Sequence, residues 1–200
     1  MDDDHYFSAD PAVAFKRVAV TTTVWGHRLS MTSGSGVFAQ GRLDTGTSVL
    51  FRETEPPPPG TFLDLGCGYG VISCALAVSV PTARVWAIDV NERAVLLTGE
   101  NAAKLRVSAR LTAVTPNAVP VDVGFDEIWS NPPIRIGKQA LHELLSTWMS
   151  RLNAGGRTVM VVGKNLGADS LQRWLTDQGY PTERLASAKG FRVLESRPAT

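Results

Sequence analysis

The chain has 200 residues, 44% of them hydrophobic and 20% charged, with a formal net charge of +1. At roughly 150 residues per domain this is about one domain with a core of its own, which excludes a disordered or fibrous chain. The near-neutral balance gives no global basic field of the kind that advertises nucleic acid, although a local basic rim would suffice for an RNA or DNA substrate.

The N-terminus, Met1-Asp2-Asp3-Asp4-His5, is acidic where a signal peptide is basic and then apolar, and no apolar run approaches the roughly 20 residues of a membrane span. Arg17–Val24 is rich in β-branched residues and predicts a strand. Trp25-Gly26-His27-Arg28 predicts a turn, Leu29–Thr32 a returning strand, and Ser33-Gly34-Ser35-Gly36 a break. Residues 1–36 thus read as a β-hairpin extension ahead of a main domain over 37–200. Residues 44–54 are weakly helical, and Pro56-Pro57-Pro58-Pro59-Gly60 is a stiff connector inside one unit.

Strand and helix patterns then alternate. Strands are expected at Thr61–Leu65, Arg84–Ile88, Arg110–Val114, Phe125–Ser130 and Arg157–Val162, with two late ones at Thr182–Ala186 and Phe191–Ser196. Helices are expected from the glycine turn to about Val80, over Glu92–Leu105, Lys138–Leu152 and Ala168–Gln178. Ala140, Leu141, Leu144, Leu145, Trp148 and Leu152 form a core stripe on the third of these. Alternation of this kind predicts an α/β fold with a mostly parallel sheet and helices on both faces. Cys67 and Cys74 lie two turns apart on one expected helix, too far for a disulfide, and no Cys/His cluster suggests zinc; free thiols fit a reducing cytoplasm.

Strand Thr61–Leu65 runs into Gly66-Cys67-Gly68-Tyr69-Gly70 and then a helix. Glycines let the chain turn sharply and let a ligand approach the main chain, and a nucleotide-like guest is expected at such a switch point. The spacing is G-x-G-x-G with Asp64 in front, not the G-x-G-x-x-G of a pyrophosphate cradle. An acidic residue there suits the ammonium of S-adenosylmethionine, which carries no phosphate. Asp89 ends the next strand, where a carboxylate accepts both ribose hydroxyls, a feature shared with dinucleotide enzymes.

The strand Phe125–Ser130 leads into Asn131-Pro132-Pro133-Ile134. Two prolines fix φ and donate no hydrogen bonds, so the segment is expected to be rigid with its carbonyls free. The Asn131 side-chain oxygen and the Pro132 carbonyl then make a pair of acceptors for an exocyclic NH₂, aiming its lone pair at a methyl group. Asn-Pro is also an ordinary turn signal.

Together these segments, with His5-Tyr6-Phe7-Ser8, Ser35–Ala39, Gly41–Thr47 and Lys189–Leu194, resemble the class I methyltransferases of the "methyltransferase small domain" family, which includes ribosomal RNA guanine-N2 methyltransferases. The resemblance covers nearly the whole chain and implies a Rossmann-like seven-stranded sheet. It places Phe38, Asp44, Gly46 and Thr47 over the cofactor, the turn Asp64, Gly66, Cys67, Gly68, Gly70 around its methionine part, and Asp89 with Val90 at its ribose. Asn117 flanks the adenine, weakly, since many class I enzymes carry an acid there. Asn131 and Pro132, followed by Pro133 and Ile134, hold the target amine, with Asn131 also near the cofactor.

Arg135, Lys138, Phe191 and Arg192 are the expected substrate contacts, and Lys164 and Lys189 are candidates for the same mouth, whereas His142 reads as a solvated or capping residue. Many amino-methylating enzymes place an aromatic residue where this chain has Ile134; Phe191 or Trp25 are candidates to stack in its stead. The resulting expectation is a cytoplasmic S-adenosylmethionine-dependent N-methyltransferase of an RNA base, with guanine N2 of ribosomal RNA first, and neither metal nor membrane involved. A protein glutamine amide, DNA adenine, and a non-catalytic S-adenosylmethionine-binding module stand as alternatives, and the oligomeric state is open.

Overall fold

The computed structural model describes residues 14–37 and 41–199. Two antiparallel strands, β1 (Arg17–Val24) and β2 (His27–Gly34), form a separate two-stranded sheet. Next come α1 (Thr45–Arg52), β3 (Thr61–Leu65), α2 (Val71–Ser79), β4 (Arg84–Ile88), α3 (Glu92–Lys104), β5 (Leu111–Val114) and β6 (Phe125–Ser130). The chain ends with α4 (Lys138–Met149), β7 (Leu152–Gly163), α5 (Ala168–Asp177), β8 (Thr182–Ala188) and β9 (Phe191–Ser196). The main sheet has seven strands in the order β5-β4-β3-β6-β7-β9-β8, parallel except for β9, which is antiparallel to both neighbours. β3 sits between β4 and β6, so the strand order reverses there and opens a crevice at the carboxyl ends.

Period-two alternation splits the strands between two cores. Phe62, Ala87, Trp129 and Val161 face α1, α2 and α3, whereas Leu63, Ile88, Ile128 and Val162 face α4 and α5. Helix α2 is apolar on every side, and residues 71–77 are all buried. A helix of that kind needs cover on its outer face as well as its inner one. Leu29 and Met31 of β2 belong to the same buried cluster as Ile72, Cys74 and Leu76, so the hairpin closes the core that the helix opens.

Several boundaries differ from the sequence expectation: β2 runs on through Ser33 and Gly34, which were expected to break it, and β8 runs to Ala188. The hairpin turn is Trp25-Gly26 alone, with φ of 47° and 82°, and His27 already pairs with Val24. Tryptophan is an unusual residue at positive φ; here tertiary contacts hold it, because its indole N–H donates to the carbonyls of Phe51 and Thr54. Helix α4 stops at Met149, Ala140 on it is exposed, and Leu152 opens β7 instead. The glycine-rich stretch 153–156 reads as loop, yet Leu152 pairs with Phe125, and a shift of register before Glu127 absorbs the irregularity.

Candidate active site

Strand ends and one helix start build a cleft of about 330 Å³ at the switch point. In the glycine turn, Gly66, Gly68 and Gly70 take φ of 78°, 57° and 84°, a region that side chains enter only at a cost. The N–H groups of Gly66 and Cys67 both donate to the Ile88 carbonyl at 2.9 Å, and that of Gly68 donates to Asp89 Oδ2 at 3.0 Å, so the turn is stitched to β4.

The three glycines do different work. A Cβ on Gly66 would face Pro133 Cδ at 3.7 Å, and one on Gly68 would face Val37 at 3.9 Å, both on the cleft wall. A Cβ on Gly70 would lie 2.7 Å from two side-chain atoms of Thr98. The first two leave room for a ligand, and the third lets α2 and α3 close up. The Cys67 thiol also turns to Thr98, with Sγ 3.5 Å from Oγ1, and burial pushes its pKa well up; Cys67 and Cys74 are both free.

Asp64 lies behind the turn and is wholly buried, off the cleft surface. Its Oδ2 accepts from the Ser73 N–H at 2.9 Å and the Ser73 hydroxyl at 2.7 Å, while Oδ1 is buried with no partner. Desolvation raises its pKa from 3.8 to about 7. Asp89 does line the cleft; besides Gly68 it accepts from the Asn91 N–H at 2.9 Å, and burial raises its pKa as well. Val90 is half exposed on the same wall.

The Asn-Pro-Pro turn forms the opposite lip. Asn131 Nδ2 donates to Asp44 Oδ2 at 2.8 Å and to Thr47 Oγ1 at 3.0 Å. Asp44 is also the N-cap of α1, accepting from the Thr47 N–H at 3.0 Å. Pro133, at φ −74° and ψ 73°, makes an inverse γ-turn in which the Ile134 N–H donates to the Pro132 carbonyl at 2.8 Å. The carbonyls of this segment are therefore not all free as the two prolines suggest: Pro132 keeps one lone pair, and Pro133 accepts from Ile136 at 3.1 Å. A second hollow of about 270 Å³ adjoins the cleft through Ile134 and Leu166, and Lys138 and His142 line it.

The remaining expected residues divide. Phe191 lines the cleft, its ring pressed on Gly46, where a Cβ would come within 2.9 Å of it. Arg192, the next residue on β9, faces the other way and pairs with Asp169 at the start of α5. Trp25 stands edge-on to Phe51 and Trp129 in the core, away from the cleft. Asn117 is exposed, and its neighbour Pro116 is the residue on the cleft wall. His142 is half buried and stacks on Trp174 at 3.6 Å between ring centres. Phe38, His5 and Tyr6 lie outside the described residues. Arg42, Lys138, Lys164 and Lys189 are all exposed, on the segments that build this end of the sheet.

Asn91, Leu144 and Leu166 line the cleft without having been expected there. The signal for Asn91 was present in its position two residues past Asp89 and just before a helix, where it serves as N-cap and also donates to the Gly36 carbonyl at 2.7 Å. Leu144 follows the apolar spacing of its helix and so reads as core, and Leu166 carries no pattern at all.

The cleft fits S-adenosylmethionine. Two of its glycines leave the main chain bare, and Asp89 presents a carboxylate where the ribose hydroxyls of a nucleoside fall in such sheets. Fold and site together define a class I methyltransferase that uses S-adenosylmethionine. Residues 28–195 match the family described as "Methyltransferase small domain", and the chain belongs to that family.

A Bacillus subtilis (strain 168) protein named only as uncharacterized protein YbxB is 32% identical over 197 residues, covering 97% of this chain and 98% of its own. Ribosomal RNA small subunit methyltransferase C of Ectopseudomonas mendocina is 35% identical over 175 residues, 84% of this chain but 51% of that protein. The chain thus spans about half the length of the ribosomal RNA methyltransferases it matches. The fold is shared with the T. thermophilus 16S rRNA N2 methyltransferase RsmC, solved with AdoMet and guanosine, at a TM-score of 0.80 and 22% identity over 95% of this chain and 52% of that one. Among the described residues no helix is long and apolar enough to cross a membrane, and no group of acidic, His and Cys side chains is arranged to hold a metal.

Proposed function

We propose that the chain methylates an exocyclic amine of an RNA base, guanine N2 of ribosomal RNA before others. The observation that carries this reading is that the Asn-Pro-Pro turn and the glycine turn share one cleft, with Asn131, Pro132 and Asp89 all on its walls. Bound S-adenosylmethionine supplies an electrophilic methyl group. The protein's part is to hold the amine. Its two N–H groups donate to Asn131 Oδ1 and to the remaining lone pair of the Pro132 carbonyl, which turns the nitrogen lone pair toward the cofactor side of the cleft. Orientation of this kind is worth several kcal/mol, about 7–11 at most. No general base is needed at the start, and the surplus proton leaves to water.

Phe191 is the stacking surface in place of the aromatic missing at Ile134, since it lines the cleft and Trp25 does not. Arg42, Lys138, Lys164 and Lys189 form the local basic rim that a net charge of +1 leaves possible, and Lys138 meets a substrate phosphate; the side chain of Arg135, the other expected phosphate contact, lies outside what the structure describes. The ribosomal RNA relatives and the guanosine in the T. thermophilus complex support RNA over protein.

The test is methyl transfer from labelled S-adenosylmethionine to deproteinised ribosomal RNA, to intact ribosomal subunits, and to cell protein. Label is expected in the RNA of one of the first two. Label confined to protein contradicts the RNA reading, and no label anywhere with cofactor binding retained contradicts catalysis.

A further inference from the structure

The Asn131 side chain is not free to choose its orientation. Its nitrogen faces Asp44 Oδ2 at 2.8 Å and Thr47 Oγ1 at 3.0 Å. A carboxylate has no proton to give, so only the NH₂ end of an amide can face it. If the amide turned over, its oxygen would meet the Asp44 carboxylate oxygen at that distance in a half-buried site and the bond to Asp44 would be lost, although the Thr47 hydroxyl could still donate to it; Asp44 therefore sets the sense and Thr47 adds a second anchor. The same Asp44 oxygen accepts from the Thr47 N–H, which fixes it at the first turn of α1. Helix α1 packs in turn on β7 and β9, so the clamp rests on the sheet.

From this we infer that Asp44 and Thr47 are positioning residues. They lock the Asn131 amide with its oxygen toward the target amine, and so set the donor–acceptor sense of the amine-binding site. This rests on the reading that Asn131 grips the amine. The resemblance gives the same two residues a place over the cofactor, and the clamp assigns them a separate job on the substrate side. It also gives the buried Thr47 hydroxyl oxygen a partner, since it accepts from Asn131 Nδ2. The site then selects for a group that donates, an NH₂, over one that only accepts, such as a ring nitrogen or carbonyl.

The clamp is tested by Thr47→Val, which removes the hydroxyl and keeps the shape, with Thr47→Ser as the conservative return of the oxygen. Asp44→Ser provides a second route: serine still caps α1 but no longer reaches Asn131. Each variant is assayed for kcat and KM with labelled S-adenosylmethionine and ribosomal RNA from cells lacking this protein, for cofactor affinity by calorimetry, and for thermal melting. Thr47→Val and Asp44→Ser are expected to lower kcat about tenfold or more, as displaced reacting groups do, with cofactor affinity and melting little changed. Thr47→Ser is expected to recover most of the lost rate. An unchanged kcat in Thr47→Val, a Thr47→Ser no better than Thr47→Val, or a loss confined to cofactor affinity or melting overturns the clamp. Asn131→Ala at full activity overturns instead the amine reading beneath it, and so separates the two failures.

Discussion

At Asp64 the structure puts a carboxylate where water cannot reach it, and only Ser73 on one of its oxygens. Its pKa rises from 3.8 to about 7 because burial disfavours the charge. Between those values the folded chain holds a proton that the unfolded chain has released. The unfolded state then binds fewer protons, so stability falls as pH rises through this window. Asp64→Asn keeps the acceptor for Ser73 and removes the titration. Without cofactor, its melting temperature should match the wild type near pH 4 and exceed it increasingly up to pH 7, as read in melts across that range. A difference that stays constant with pH contradicts the burial of an unpaired carboxylate.

The residue also marks a limit of sequence reading. An acid at the head of a glycine turn reads as a direct contact for an ammonium group. Which way it points depends on the strand parity of β3, which sends Asp64 to the α2 side along with Phe62. Arg192 differs from Phe191 for the same reason, since neighbours on a strand face opposite ways.

Among the elements, the hairpin and the glycine turn are joined by one side chain. Asn101 of α3 is buried; its Nδ2 donates to the carbonyls of Thr32 and Tyr69, each at 2.8 Å, and its Oδ1 accepts from the Thr32 N–H at 2.7 Å. Asn101→Ala leaves three main-chain groups unpaired, the buried Tyr69 carbonyl and the half-buried N–H and carbonyl of Thr32, and should cost about 2 kcal/mol or more in denaturant unfolding. The neighbouring Glu100→Ala breaks only the ion pair with Arg17, whose partners are both well exposed, and should cost about 1 kcal/mol or less. Equal costs would mean that Asn101 is no tie.

Most strands and helices were legible because their patterns are strong: β-branched residues for β1, a continuous apolar run for β7 and an apolar stripe at helical spacing for α4. Asn101 was not, because nothing in a helical sequence distinguishes an amide that faces solvent from one that spans three elements. The Trp25-Gly26 turn was half legible. Its glycine signals a turn, but its length depends on a tryptophan held at positive φ by carbonyls about 26 and 29 residues away.

For the whole molecule, the doubly wound order gathers at one edge the residues that the sequence singled out at three separate places. Asp89 and Asn131 are 42 positions apart and meet only because β4 and β6 flank β3. Motif spacing gave the cofactor class; the pairing of Asn131 with Asp44 and Thr47 across more than 80 positions needed the folded chain. On the proposed reading the molecule separates two tasks: glycine turn and Asp89 for the cofactor, Asn131 and Pro132 for the amine.

Asn131→Ala tests that separation most directly, with cofactor affinity measured by calorimetry and methyl transfer measured on ribosomal RNA with the same preparation. The predicted result is cofactor affinity within a few-fold of wild type and transfer reduced by about a hundredfold or more. Full transfer by the variant would contradict the account.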